Sequence, residues 1–350
     1  MLQPQPQGVV EPRFQHRRRL PTVLGRAKHD DGIGFVGFVL SGLLLNLPGH
    51  TGQITADQDR PDPEQNQQRY GSQPFYHAGV DYDFPMGTVT SAKNPLLKEV
   101  RKAVRAASMT DSGLCVAEGF HLLAEALRSG CHIEEVLVTE RAREALRERV
   151  QGLNDIPVVP LHERLFATVA STEATQGVIA LVRPPSWTAD DVFRGDALTV
   201  VVDGVQDPGN AGAILRAAEA FGASGAIFLK GTASPWNPKA LRASAGSVFR
   251  LPLITGVDQT DVRSLAEQNQ SRLYAAMPQA GRSVAECDLT ERCAIVIGAE
   301  GRGVSPELAG SAESLSVPTA VVDSLNAGIS AAVILYEARR QRSTAGGAAQ

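Results

Sequence analysis

The chain has 350 residues, enough for two or three domains at about 100–200 residues each. With 43% hydrophobic residues it can bury a sizeable core, and 34 Lys+Arg against 38 Asp+Glu leave a net charge of -4, so any nucleic-acid partner must be held by local basic patches. Four scattered cysteines without a CxxC pair (Cys115, Cys131, Cys287 and Cys293) speak against a disulfide framework and a Cys-rich metal site, and fit a reducing, cytoplasmic compartment.

Residues 1–85 differ from the rest: nine of the 21 prolines fall there, and stretches such as QPQPQ and PDPEQNQQ cannot build a packed core. This part is expected to be a disordered extension, or upstream sequence read in frame ahead of Met86 as the working start. The apolar run 32–47 (GIGFVGFVLSGLLLNL) is short for a membrane-spanning helix, which needs about 20 apolar residues. As a signal-peptide core it would follow Arg17, Arg18 and Arg19. Against that, Asp30 and Asp31 sit just ahead of it and no AxA-like cleavage site follows closely.

From Met86 the pattern is regular. Residues 94–107 predict a helix that opens with Pro95 and carries Leu96, Leu97, Val100 and Val104 on one face. A strand at 114–117, a helix at 119–129 closed by Gly130, a strand at 133–139 and a helix at 141–150 follow. After them come a strand at 158–159, a helix at 162–169 and a strand at 177–182, so 86–183 reads as a small α/β domain. Arg183, Pro184 and Pro185 lead into a linker, 184–196. The second unit, 197–345, runs strand 198–202, helix 211–221, strand 225–229, helix 239–246, strand 251–254 and helix 261–268. Strands at 273–276, 294–297 and 315–317 and a closing helix at 329–342 complete it. Continuous apolar strands between helices mean a mostly parallel sheet covered on both faces. Ligands of such sheets bind outside the carboxyl ends of the strands.

Three polar, Gly-rich clusters sit at those ends: 203–216 (DGVQDPGNAGAILR), 297–308 (IGAEGRGVSPEL) and 323–332 (DSLNAGISAA), the last preceded by Val317 and running into Leu335, Tyr336 and Glu337. Taken singly, each is an ordinary strand-to-helix turn. Gly298 to Gly303 reads GxxGxG, not GxGxxG, and lies near the chain's end, so a dinucleotide-dependent oxidoreductase is poorly supported. No GxxxxGK[ST], GxSxG or HExxH pattern occurs.

Taken together, in this order and spacing, the clusters resemble the SpoU/TrmH-type RNA ribose 2'-O-methyltransferases of the SPOUT superfamily. The resemblance rests on Asn210 and Arg216, on Gly298-x-Glu300-Gly301-x-Gly303, and on Ser324-Leu325-Asn326 ahead of a small-residue helix. The first unit is similar to the ribosomal-protein-L30e-like substrate-binding domain, through Thr90-Ser91-x-x-Asn94-Pro95, Val116-Ala117-Glu118-Gly119 and Thr175-Gln176-Gly177-Val178-x-Ala180. The resemblance implies an α/β-knot catalytic domain with a deep trefoil knot, an exception to the rule against threading. It implies S-adenosylmethionine as co-substrate, held largely by backbone at Gly298, Gly301, Val317, Leu325 and Asn326, and no metal. It implies homodimers through the knot domain, with the active site borrowing groups across the interface.

Methyl transfer from a sulfonium to a ribose oxygen needs a positioned hydroxyl and help with its proton. The resemblance gives that work to Arg216 beside Asn210, with Ser324, Asn326 and Glu300 near. Arginine is a poor base, with a pKa above about 12. Arg216 either loses a proton in a special site or stays charged, stabilising the developing alkoxide and clamping phosphate; the second is favoured. RNA contacts are expected from Lys230, Trp236, Lys239 and Arg242, where cations meet an aromatic able to stack on a base, and from Lys98 and Arg101 on a basic helix. His121, His132 and His162 lack ligand spacing. An L30e-like domain ahead of the knot is more like rRNA enzymes than shorter tRNA enzymes, so 23S-type rRNA is favoured over tRNA by analogy. A tRNA enzyme and a catalytically silent RNA-binding paralogue are the alternatives; the intact Asn210, Arg216, Glu300, Ser324 and Asn326 argue against the silent one. No membrane partner is expected.

Overall fold

The computed structural model describes residue 89 and residues 91–278 and 281–347. The expected extension, its apolar run and Thr90 lie outside the described residues. Helix α1 (Pro95–Ala106) starts where the Asn94 side chain accepts from the Leu96 amide at 2.9 Å and proline takes a first-turn position that needs no donor. Leu97, Val100 and Ala103 recur every three residues and are buried. Then β1 (Cys115–Glu118), α2 (Phe120–Arg128), β2 (Ile133–Thr139), α3 (Arg143–Arg149), β3 (Val158–Leu161), α4 (Glu163–Phe166) and β4 (Val178–Val182) alternate. The strands pair in the order β1-β4-β2-β3, with β4 antiparallel to β1 and β2, and β3 parallel to β2. Alternate side chains part to opposite faces. Val116, Leu137, Ile179 and Leu181 pack with α1, while Ala117, Val136, Val138 and Ala180 join a core shared with the second sheet.

The stretch expected as a linker carries α5 (Ala189–Val192), started by a capping box between Thr188 and Asp191. Val192 and Phe193 are buried in the core of the sheet that follows, so this segment is packed down. That sheet is built from β5 (Leu198–Asp203), α6 (Pro208–Ala220), β6 (Gly225–Leu229), α7 (Pro238–Ser244), β7 (Leu253–Val257), α8 (Gln259–Gln268), β8 (Arg272–Ala276) and β9 (Arg282–Ser283). It is completed by β10 (Cys293–Gly298), α9 (Pro306–Ala309), β11 (Glu313–Ser316) and α10 (Ala327–Gly347). Its order is β7-β6-β5-β10-β8-β11-β9, and every pairing is parallel. The α/β class and the mostly parallel sheet are as expected. The strand expected at 251–254 lies at Leu253–Val257 instead, because Pro252 has no N–H for the ladder. Helix α6 starts earlier than expected: Asp207 caps it, accepting from the Asn210 amide at 3.0 Å, and Pro208 opens it.

Two features lock the larger domain. At Gly212 a Cβ would lie 2.3 Å from the Ala240 carbonyl oxygen, so α6 and α7 pack backbone to backbone. At the other end of the domain, Arg342 of α10 donates from Nε to the Leu289 carbonyl at 2.8 Å and from Nη1 to the Asp196 carbonyl at 2.5 Å, just ahead of β5.

Beside that shared apolar core, the domains meet through polar contacts around α7. Glu125 of α2, 5% exposed, takes hydrogen bonds from Arg250 and Arg128, and Arg250 also grips Glu219 of α6 at 2.5 and 2.9 Å. Glu118, at the end of β1, accepts from the Ser171 amide at 2.7 Å and from the Thr172 hydroxyl at 2.6 Å. Arg242 of α7 donates to the Ser171 hydroxyl at 2.6 Å. Burial alone would push the Glu118 carboxyl up, but donors from Ser171, Thr172 and Thr175 more than offset it and hold it below the ordinary 4.5. A lowered carboxylate contributes stability that is present above its unfolded pKa and lost as pH falls through its folded value. Glu118→Gln is therefore expected to lower the melting temperature at pH 7 and to narrow its gap to the unchanged protein as pH drops below about 4.5. Thermal unfolding of both proteins from pH 7 downward checks this; a gap that stays constant with pH would refute it.

Candidate active site

The carboxyl ends of β8, β10 and β11 and the start of α10 open onto one cavity of about 310 Å³. This is at the lower end of small-molecule pockets, about 300–1,000 Å³. Ile297, Leu315, Val317, Leu325 and Ile334 supply apolar walls, and Glu300, Ser324 and Asn326 supply polar groups. Gly298 and Gly301 line it as well. At Gly298 a Cβ would lie 2.2 Å from the Gly303 carbonyl carbon and from the Val304 nitrogen, so the loop 299–303 can fold back on β10 only over a glycine. Ala299 and Gly303 close that loop with paired backbone bonds of 2.8 and 3.1 Å.

The loop is anchored from beneath. Asp203 ends β5 opposite Gly298 and is 1% exposed. Its carboxylate accepts from the Ser305 amide at 2.7 Å and from the Gln259 side chain at 3.1 Å. Hydrogen bonds to a charged group contribute about 1.5–3 kcal/mol, and a buried carboxylate without donors would be costly.

Three remote segments meet at Asn210. Its amide donates to Glu300 and its carbonyl accepts from the Asn326 amide at 3.0 Å. Asn326 also caps α10, accepting from the Gly328 and Ile329 amides at 2.9 and 3.3 Å. Lys239 binds Asp207, the cap of α6, at 2.6 Å and holds its carboxyl below the ordinary range.

Of the residues singled out in the sequence, Gly298, Glu300, Gly301, Val317, Ser324, Leu325 and Asn326 line this cavity, and Asn210 touches it through two of them. Arg216 does not line it. It lies six residues beyond Asn210 on α6, about 9 Å further along the axis, and is exposed with no side-chain partner among the described residues. The basic candidates divide. Lys98 is exposed; Arg101 donates to Thr168 at 2.8 Å; Lys230 pairs with Asp258 at 2.6 Å. One expectation needs correction. Trp236 is 6% exposed and packs in the core, so it offers no open face for a base. Arg242 is half-buried and donates from Nη1 to the Ser171 hydroxyl at the domain junction. Asp203, Met277 and Pro278 were missed. Met277 and Pro278 follow β8 at the same strand ends that located the other clusters, and a carboxylate closing the apolar strand LTVVVD needs a buried partner, which was the available signal.

A parallel sheet with a small-molecule cavity beside its polar loops defines a class of ligand-binding α/β proteins, and comparisons narrow it. Residues 197–336 match the model of the SpoU rRNA Methylase family, and residues 94–180 match the MRM3-like substrate binding domain. An uncharacterised tRNA/rRNA methyltransferase of Synechocystis is 32% identical over 73% of this chain and 95% of its own length. The 23S rRNA (guanosine-2'-O)-methyltransferase RlmP of Bacillus subtilis is 30% identical over 73% of this chain and all 100% of its own. The crystal structure of an AdoMet-bound rRNA methyltransferase from Sinorhizobium meliloti superposes with a TM-score of 0.64 at 28% identity, covering 73% of this chain and 97% of that one. The chain belongs to the SpoU rRNA methylase family.

The dual role of Asn326 separates by substitution. Asn326→Ala is expected to lower stability by about 1 kcal/mol through loss of the cap. Asn326→Asp keeps the acceptor and is expected to retain most of that stability while losing the bond to Asn210. Denaturant midpoints of the two variants check this, and equal losses would refute it.

Proposed function

We propose that the protein is an S-adenosylmethionine-dependent RNA ribose 2'-O-methyltransferase acting on large-subunit rRNA in the cytoplasm. The observation that carries the reading is the convergence of Gly298, Glu300, Gly301, Val317, Ser324, Leu325 and Asn326 on one cavity. Relatives named as 23S rRNA 2'-O-methyltransferases and AdoMet-bound structural neighbours support it. The cavity fits the co-substrate: apolar walls suit an adenine ring, the loop drawn over Gly298 brings main-chain groups close, and Glu300, Ser324 and Asn326 suit its polar parts. When bound, S-adenosylmethionine supplies a methyl group already activated on sulfur.

The protein's own residues then position the acceptor. Asn210, oriented by Glu300 and Asn326, presents its amide at the cavity rim. Arg216 stays charged, clamps the substrate phosphate and stabilises the oxygen that is losing its proton. Because Arg216 stands away from the cavity of its own chain, a second copy delivers it. Helix α10 carries Ile329, Val333 and Tyr336 exposed at 55%, 37% and 56% along one stripe, beside Val322 at 54%. Exposed apolar groups in such a row mark an association surface. The knotted threading belongs to the same reading and is supported by the loops after β8, β10 and β11 meeting α10 at one cavity. Lys98, Arg101 and Lys239 contribute phosphate contacts. No helix among the described residues is long and apolar enough to cross a membrane.

Transfer of labelled methyl to rRNA as alkali-resistant product tests the reading; label that enters only tRNA would shift the substrate, and none in either pool from protein that binds no S-adenosylmethionine would refute the activity. Arg216→Ala is expected to lower transfer about 100-fold or more while leaving S-adenosylmethionine binding intact. Gly298→Ala is expected to lose that binding. Mixing the two inactive variants is expected to restore activity, since a heterodimer joins one intact cavity to one intact Arg216; no recovery from well-mixed dimers would overturn delivery by a second copy.

A further inference from the structure

The smaller domain carries a pocket of its own, remote from the cavity in sequence. It is shallow, about 350 Å³, and lies where β1 and β2 end and β4 begins. Phe120, Gln176, Arg141, Arg149 and Glu163 line it. Phe120 is half-buried, and the Arg149 guanidinium lies over its ring at 5.4 Å from the centroid. That outward ring face is covered only by the exposed Arg149 side chain, which a planar group can replace there as the guanidinium turns to a phosphate. Gln176 is fixed by its carbonyl, which accepts from the Phe120 amide at 3.0 Å, and its amide nitrogen has no partner among the described residues. Arg141 is 87% exposed and meets Glu163 only at 3.9 Å, and Oε1 of Glu163 is buried without a hydrogen-bond donor. An aromatic ring under a displaceable guanidinium, a second cation paired only at 3.9 Å, an oriented amide and a carboxylate oxygen without a hydrogen-bond donor thus converge.

We propose that this pocket holds one unpaired nucleotide of the RNA. The base stacks on Phe120, the Arg149 and Arg141 guanidiniums take the flanking phosphates, and Gln176 and Glu163 meet the polar edge of the base. A paired base would keep its faces and its Watson–Crick edge inside the duplex, so the pocket selects single-stranded segments. It is also coupled to the catalytic domain. His121, next to Phe120, contacts the Ala245 carbonyl at 3.2 Å at the end of α7. The other end of α7 carries Lys239, which holds Asp207 and so the helix that presents Asn210. A seven-residue helix spans about 10 Å, so one short stretch of RNA can engage both places. The inference rests on the RNA methyltransferase reading for the identity of its ligand.

The test uses the full chain and a fluorescein-labelled nine-nucleotide single-stranded RNA, with the same strand annealed to its complement as control, read by fluorescence anisotropy. The unchanged protein is expected to prefer the single strand. Phe120→Leu, which keeps an apolar side chain but removes the stacking face, is expected to weaken single-strand binding about tenfold and leave duplex binding unchanged. The double variant Arg141→Gln/Arg149→Gln is expected to weaken it further and to flatten its salt dependence. Glu163→Gln is expected to change the ranking among oligonucleotides that differ only in the central base. Equal affinity of the unchanged protein for single strand and duplex would overturn the proposal, as would Phe120→Leu binding like the unchanged protein. S-adenosylmethionine binding and methyl transfer are measured on the same samples. Intact transfer with no effect of Phe120→Leu on single-strand binding sinks the pocket alone, whereas failure of transfer and of co-substrate binding sinks the enzymatic reading even where single-strand selection holds.

Discussion

The cavity depends on one buried carboxylate. Asp203 closes a strand that is otherwise apolar, and at 1% exposure it cannot be hydrated. A charge in that position must be met by donors. It is met by the Ser305 amide at the far side of the loop 299–303 and by Gln259 at the start of α8. The loop is thereby drawn back over β10, which is possible only because Gly298 has no side chain to obstruct it. Glu300 and its loop neighbours that face the cavity are placed by this anchoring. Glu300 then reaches Asn210, and Asn210 reaches Asn326, so the order of the rim follows from the satisfaction of a charge beneath it.

Much of this architecture was legible in the sequence. Apolar strands such as 198–202 and 294–297 between helical stretches specify a covered parallel sheet, and glycines and polar residues at their carboxyl ends mark where a ligand enters. What escaped notice depends on burial, which residue type alone does not report. Trp236 sits among Gly, Pro, Ser and Asn, a composition that reads as an exposed loop, yet tertiary packing folds that loop inward. Arg242 reads as a free cation and proves to be a junction residue, because Ser171 lies 71 positions away in sequence. The helix at Ala189–Val192 is a single turn, too short to show periodicity, and the two-residue β9 shows no alternation at all. Arg216 was singled out by its spacing from Asn210, but spacing along one helix does not report that its side chain stands away from the cavity of its own chain.

The junction between the domains has a different character from the cores on either side. Glu125, Arg250, Glu219 and Arg128 form a charged cluster around the buried Glu125, with Arg250 and Glu219 about a third exposed and Arg128 at the surface, so losing Arg250 is costly chiefly because it leaves a buried carboxylate short of its partner. The apolar core shared by the two sheets tolerates some sliding, whereas this cluster permits few relative placements. Glu118, Ser171 and Arg242 add a second fixed point beside α7. The smaller domain is thus held at a defined station relative to α6 and Asn210, a useful property where a long flexible polymer is to be presented to one small cavity.

The bond from Arg342 to the carbonyl of Asp196 spans 146 positions. It joins the last helix to the residues that lead into the first strand of the same domain. Chain synthesis runs in one direction, so the strands β5 to β11 are all made before their final clasp exists. Contacts of such high sequence separation form late and slowly, because loop closure must be completed before the contact contributes. The domain cannot reach its finished form while α10 is still inside the ribosomal exit tunnel. Its strands wait through that interval with their pairing incomplete, the condition in which an unfinished sheet is most open to wrong association.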